Sequence, residues 1–232
     1  NKNIKILIHC ASKTPPNYSQ KRCYKNNKSI DTNILNIIKK SNVRTFIYLS
    51  SISVYGDKEG KIVSENTVAK PNDLYGKSKY ETELKINKLS KKLSIKFIIL
   101  RLCTIIGKNC HSTFLSKVSK DIKNKKIIKV FGVENLFNAC MHIDTFCNNV
   151  LNILKNKKIK NNFNMVILQS HKPVKLNRIL QRLKAKLNKS IIINTVKTRD
   201  KGFLIKSKNF KKLNLRFKNT LFEIDKFASN LK

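Results

Sequence analysis

Apolar residues recur along this chain in two rhythms, and the alternation between them outlines its elements. Ile4-Lys5-Ile6-Leu7-Ile8-His9-Cys10-Ala11-Ser12 is a short apolar run ending in small residues, and Thr14-Pro15-Pro16-Asn17 breaks it. That pattern predicts a buried strand entering a loop. From Ser29 to Ser41 the apolar positions Ile30, Ile34, Leu35, Ile37 and Ile38 recur at helical spacing and predict an amphipathic helix. Thr45-Phe46-Ile47-Tyr48-Leu49-Ser50-Ser51 is almost continuously apolar, as strands covered on both faces are, and it ends in hydroxyls. A long polar loop from Ile52 to Asp73 carries Gly56, Gly60 and Pro71, and loops of this length are often functional. A helix opening at Tyr75 and running to about Leu93 follows, then a second buried strand from Ile95 to Leu102 that only Arg101 interrupts.

The remainder is less regular. It predicts a helix from Ser112 to Lys123 and strands at Ile127 to Phe131 and near Ala139 to Ile143. A helix from Asp144 to Leu154 with Asp144 as its N-cap, a strand from Phe163 to Leu168 and a helix from Leu176 to Leu187 come next. A strand at Ile191 to Val196 and a last helix after Leu221 complete the chain. Strand and helix in alternation make a parallel sheet with helices on its faces, and such sheets bind ligands at the carboxyl ends of their strands. Cys10 to Ser12, Ser50 to Ser53 and Leu102 to Gly107 therefore converge on one crevice.

Tyr75 and Lys79 stand at i and i+4 on one helix face, which sets an ammonium close to a phenol. A nearby cation favours the phenolate, so the Tyr75 pKa is expected to fall from about 10 towards the working range of a general acid or base.

Composition adds one outlier. The 232 residues, 41% of them hydrophobic, suit a globular protein of one or two domains, but the formal net charge is +37. The excess is lysine spread over the whole length with abundant asparagine and isoleucine, a pattern that A/T-rich coding bias produces. No clustered basic stripe or aromatic-basic strand alternation points to a nucleic-acid partner. Six cysteines form no CxxC and read as buried thiols of a reducing compartment. Cys110, His111, Cys140 and His142 match no zinc spacing, so no metal is expected. No apolar run reaches the roughly 20 residues a membrane span needs, no signal-peptide pattern appears, and a cytoplasmic location is expected.

Taken in order, several segments resemble the extended short-chain dehydrogenase/reductase family, the group of NAD-dependent nucleotide-sugar epimerases and dehydratases. Ile8-His9-Cys10-Ala11-Ser12 is similar to the family's fourth-strand segment, and Asn27 followed by Asn33-Ile34-Leu35 to its next helix. Ser50-Ser51-Ile52-Ser53-Val54-Tyr55-Gly56 resembles its Ser-Ser-x-x-Val-Tyr-Gly strand end, and Tyr75 to Lys79 its Tyr-x-x-x-Lys. Leu100-Arg101 through Gly107 resembles its Leu-Arg strand and turn, and Met141-His142-Ile143-Asp144 its His-Val-Asp segment.

The resemblance implies an α/β, Rossmann-like doubly wound parallel sheet lacking its first strands. Residues 1–107 would be the C-terminal part of the dinucleotide-binding domain. Residues 108–232 would be a smaller substrate-binding region, with segments near 140–170 returning to the sheet. It implies NAD or NADP as cofactor, a nucleotide sugar as substrate, and a homodimer formed through the two long helices. Tyr75 would be the general acid/base, Lys79 would bond the nicotinamide ribose and lower the Tyr75 pKa, and Ser51 would hold the reacting oxygen. Ala11, Ser12, Asn27, Ser50, Thr104 and Ile105 would contact the cofactor beside Tyr75 and Lys79, and His142 would orient the next helix.

The departures shape this expectation. The family's first strand and glycine-rich phosphate loop precede everything present here, and the chain opens with Asn1, as a fragment would. Where family dehydratases carry Thr-Asp-Glu, Ser51-Ile52-Ser53 stands, which favours an epimerase or ketosugar reductase. Lys108 replaces a proline after Gly107, and Thr104 stands where many epimerases have asparagine. A non-catalytic fragment or pseudoenzyme, or a basic nucleic-acid-binding protein, is the competing expectation.

Overall fold

The computed structural model describes residues 4–15, 17–110, 113–124, 127–159, 162–187, 192–196, 198–199 and 201–231. Strand β1 (Ile6–His9) leads through a loop to helix α1 (Gln20–Lys39), then β2 (Thr45–Ser51) and a 3-10 turn at Ile52–Tyr55. A short β3 (Ile62–Val63) precedes α2 (Leu74–Ser90), β4 (Lys96–Leu102) and β5 (Thr104–Ile106). Next come α3 (Phe114–Lys123), β6 (Ile128–Phe131), β7 (Leu136–Phe137), β8 (Cys140–His142), α4 (Ile143–Lys155) and β9 (Phe163–Ile167). The chain ends with β10 (Val174–Lys175), α5 (Leu176–Lys186), β11 (Ile193–Val196), β12 (Leu204–Ile205) and α6 (Thr220–Ser229).

One parallel sheet in the order β1-β2-β4-β9 forms the frame, as the alternation of strand and helix requires. Its two central strands are buried throughout their apolar stretches: Phe46, Ile47 and Tyr48 of β2 and Phe97, Ile98 and Ile99 of β4 are each 0% exposed. This is why both strands read as unbroken apolar runs rather than alternating ones. Leu35 and Ile38 of α1 and Ile86 of α2 pack on one face of the sheet, and α4 contributes Val150 and Ile153 to the core on the other.

The β2 boundaries match the sequence reading, and the strands and helices of the C-terminal half fall within a few residues of it. Three expectations change. Strand β1, expected to be buried, lies at the edge of the sheet among the described residues and leaves Ile6 46% and Ile8 39% exposed. Helix α1 starts nine residues earlier than Ser29, because Ser19 caps it by accepting from Arg22 N and its first turns are mostly polar, leaving apolar periodicity nothing to register. The N-cap of α4 is His142, not Asp144: His142 Nδ1 accepts from Asp144 N at 3.2 Å, while Asp144 sits in the first turn and pairs with Lys226 at 2.8 Å. Residues Ser112 and Ile191, expected at element ends, lie outside the described residues.

The turn after β2 depends on one glycine. Gly56 has φ of 63°, and a Cβ there would collide with the Lys70 carbonyl oxygen. Gly56→Ala is expected to cost about 1–3 kcal/mol, by left-handed strain and by displacing the 69–72 segment that leads into α2. A urea-denaturation midpoint unchanged from wild type would refute this.

Candidate active site

The carboxyl ends of β1 and β2 and the amino end of α2 bring three hydroxyls together. Asp73 begins α2 by accepting from Gly76 N at 2.6 Å, and the absence of a Cβ on Gly76 lets the helix start close against the Ser53 carbonyl. That approach sets Tyr75, in the first turn, beside the end of β2. The Ser51 and Ser12 hydroxyls lie close enough to the Tyr75 phenol for both to lower its pKa. Ser51 also caps the 3-10 turn, accepting from Ser53 N at 3.1 Å and donating to Ser53 Oγ at 3.1 Å. Its hydroxyl therefore serves the local backbone while lying near the tyrosine.

Lys79 lies one turn further into α2 and is 3% exposed. Its ammonium donates to the Leu49 carbonyl at 3.0 Å, lies over the Tyr48 ring at 4.9 Å from the centroid, and is 6.0 Å from the centre of the Tyr75 ring. Burial lowers the Lys79 pKa, and the charges of Asp31 and Glu83 oppose that.

The electrostatic expectation for Tyr75 is overturned in this state. Burial pushes its pKa up to about 12, outweighing the lowering that the Ser51 and Ser12 hydroxyls supply. The desolvated phenol keeps its proton at neutral pH because taking it out of water penalises the phenolate more than the two neighbouring hydroxyls relieve. An absorbance titration of tyrosinate is expected to lose a phenol ionising near pH 12 when Tyr75 becomes Phe. Loss of one titrating near the ordinary value of about 10 would contradict this assignment.

The other expected cofactor contacts divide. Asn27 is 0% exposed and clamps the loop after β1, accepting from Lys13 N at 2.8 Å and donating to Lys13 O at 3.0 Å. Ala11 is exposed at the mouth of that loop. Thr104 and Ile105 are half-buried in β5, which pairs with β8. Ile105 lines a cavity of about 460 Å³ with Thr14, Gly107 and Lys108. Ser50 departs from its expected role. Successive strand residues point to opposite faces, so its hydroxyl turns away from the crevice and donates to Glu83 Oε1 at 2.6 Å.

The same buried carboxylate holds Arg101 through Nε at 3.0 Å and through a second guanidinium nitrogen at 2.6 Å, and Arg101 also donates to the Tyr55 hydroxyl at 2.6 Å. The arginine that interrupts the apolar run is thus a core ion pair under the site. His142 is 0% exposed; besides capping α4 it meets Asn230 Nδ2 through Nε2 at 2.9 Å, so it orients the next helix. Cys140 is buried against Ser170, and His111 lies outside the described residues. Among the described residues no group of three His, Cys, Asp or Glu side chains is arranged to hold a metal. Two cysteines expected to be buried, Cys10 and Cys147, are exposed.

Sequence reasoning missed a carboxylate in α1. Asp31 accepts from the Tyr48 hydroxyl at 2.8 Å and from Thr82 Oγ1 at 2.7 Å, and meets His9 Nε2 at 2.7 Å. The available signal was its phase, since the inward positions of α1 run Cys23, Asn27, Asp31, Leu35 and Ile38. A carboxylate on an inward helical stripe has to find partners.

The parallel sheet with helices on its faces makes this an α/β protein of the Rossmann type. The model of the NAD dependent epimerase/dehydratase family matches residues 1–166, and the chain belongs to that family. It is 28% identical over 193 residues to an uncharacterized protein of Methanocaldococcus jannaschii, a match covering 81% of this chain and 58% of that protein. It is 33% identical over 128 residues to the ADP-L-glycero-D-manno-heptose-6-epimerase of Brachyspira hyodysenteriae, covering 52% of this chain and 40% of the relative. The chain therefore spans less than two thirds of the length of these curated relatives. Among solved structures, the UDP-glucuronic acid 4-epimerase of Bacillus cereus, in complex with NAD, superimposes with a TM-score of 0.85 over 99% of this chain and 75% of that one. At 21% identity that likeness shows the fold alone. No helix among the described residues is long and apolar enough to cross a membrane.

Proposed function

We propose that the chain is part of an NAD(P)-dependent epimerase or ketosugar reductase acting on a nucleotide-activated sugar, with Ser51, Tyr75 and Lys79 as its catalytic set. The observation that carries this reading is the buried Lys79 ammonium 6.0 Å from the centre of the Tyr75 ring, with the Ser51 and Ser12 hydroxyls close enough to the phenol to lower its pKa. The residues also fit the dinucleotide. An ammonium has three donors, and among the described residues the Leu49 carbonyl is the hydrogen-bond acceptor for Lys79, which leaves donors for a ribose diol. Ala11, Ser12, Thr104 and Ile105 would flank it.

The dinucleotide, when bound, supplies hydride acceptance and return. The chain's part is proton transfer and positioning. Ser51 holds the sugar oxygen within reach of the phenol, and Tyr75 takes or gives the proton at that oxygen. Lys79 favours the phenolate electrostatically once the ribose contact seats it. Residues 1–107 would carry these groups and residues 108–232 would shape the sugar site, with the cavity at Ile105, Gly107 and Lys108 receiving the substrate.

The test is an assay of the protein translated from the complete reading frame against a panel of nucleotide sugars, following inversion or reduction by proton NMR. Turnover that needs NAD or NADP is expected with at least one. Failure to bind either dinucleotide, with the protein folded, would remove the reading.

A homodimer across α1 and α2 belongs to the same proposal. The outer groove between these helices is floored by Leu35 and Leu89 and rimmed by Lys39, Lys85, Lys88 and Lys92. Pairing two such rims brings like charges together, which salt screens. Sedimentation velocity is expected to show the dimer fraction rising between about 50 mM and about 500 mM salt. A monomer at every salt concentration would rule the dimer out.

A further inference from the structure

Beneath Tyr75 and Lys79, α1, α2, β1 and β2 meet around the Asp31 carboxylate, which is 1% exposed. Burial alone would raise its pKa, but His9, Lys79, Thr82 and Tyr48 together hold it below the usual carboxylate value, so it is ionised at neutral pH. Lys79 is buried with it and forms no direct ion pair within 4.0 Å among the described residues. A buried ammonium without compensation gives up its proton. Around Lys79, Cys10 follows β1, and β2 contributes the Leu49 carbonyl and the Tyr48 ring. From its own helix come Tyr75, its ring centre 6.0 Å away, and Glu83, whose carboxylate is already engaged by Arg101. From α1 comes Asp31, and His9 stands behind it.

Tyr48 links the two charges. Its hydroxyl donates to Asp31 Oδ2 at 2.8 Å while its ring takes the Lys79 ammonium at 4.9 Å from the centroid. Donation to a carboxylate enriches the ring and strengthens its attraction for a cation. We propose that Asp31 is a positioning residue for Lys79: its carboxylate, acting through the Tyr48 phenol, keeps the ammonium charged and seated below Tyr75. The inference rests on the proposed role of Lys79 for its functional meaning, though not for its test.

That test is a carbon-13 NMR titration of the Lys79 ε-methylene in the full chain, with Lys79→Arg assigning the resonance. Asp31→Asn is expected to lower the midpoint by about one pH unit or more, as loss of an opposite charge does. Asp31→Glu should restore most of it, and Tyr48→Phe, which keeps the ring, should shift it in the same downward direction. A purely structural role for Asp31 would reduce stability without moving the midpoint in the folded protein. A wild-type midpoint in folded Asp31→Asn overturns the proposal, as does a wild-type midpoint in Tyr48→Phe should the first variant not fold. The titration needs neither dinucleotide nor sugar. Its failure leaves the Tyr75 assignment standing, and absence of dinucleotide binding removes that assignment without altering this measurement.

Discussion

Glu83→Ala is expected to destabilise the protein by about 3–5 kcal/mol, because it strips a buried guanidinium of its counter-charge. Arg101 is 4% exposed and Glu83 3% exposed, and the two meet through paired nitrogen–oxygen contacts of 3.0 and 2.6 Å. Without the carboxylate, Arg101 keeps only the Tyr55 hydroxyl among these partners, and Ser50 loses the acceptor of its own hydroxyl. The loss corresponds to a fall of roughly 10 °C in the thermal midpoint for a chain of this size. Replacing both charged residues with leucine should recover most of it, since removing the pair together leaves no orphaned charge. A single-variant loss under about 1 kcal/mol in urea denaturation would mean that water reaches Arg101 and that the pair is not a core element.

This ion pair also marks where the sequence stopped being informative. The strands β2 and β4 are legible because burial on both faces leaves continuous apolar runs, and α4 because Phe146, Val150, Ile153 and Leu154 recur at helical spacing on its core side. Helix α2 is marked in the sequence by Tyr75 and Lys79, not by apolar periodicity. Its inward positions are Gly76, Ser78, Lys79, Thr82, Glu83 and Ile86, so its hydrophobic pattern is nearly absent. A helix whose buried face is polar is built around partners, and the partners lie on β2, β4 and α1, far away in sequence. The short strands β7, β10 and β12 escaped for a different reason: two-residue pairings carry no pattern.

The candidate site divides along the same line. Helical spacing points to Tyr75 and Lys79, and the family resemblance to Ser51, but neither shows that Ser50 faces Glu83 or that Ser12 lies near the phenol. Nor can either weigh burial against a neighbouring charge. An i, i+4 ammonium argues for a lowered tyrosine pKa, whereas desolvation of the ring in the folded chain argues for a raised one. The balance needs coordinates, and in this state desolvation wins.

Tyr75→Phe in the complete protein is expected to lower turnover of the proposed sugar substrate by about 10²- to 10⁴-fold, the usual contribution of a positioned proton donor or acceptor. The substitution removes one hydroxyl and keeps the ring that packs at the start of α2, so stability should change little. The pH dependence separates this from a packing effect. With its pKa at about 12, the Tyr75 phenol is protonated at neutral pH and is ready to give a proton to a carbonyl. The reverse direction needs the phenolate. Its rate should rise tenfold per pH unit from neutrality up to the phenol's pKa in the substrate complex. Lys79→Ala should move the end of that rise upward, since the cation favouring the phenolate is gone. In Tyr75→Phe the residual rate should lose this slope altogether. If the variant keeps both the slope and the turnover of wild type, the proton moves through another group and the catalytic assignment of Tyr75 fails.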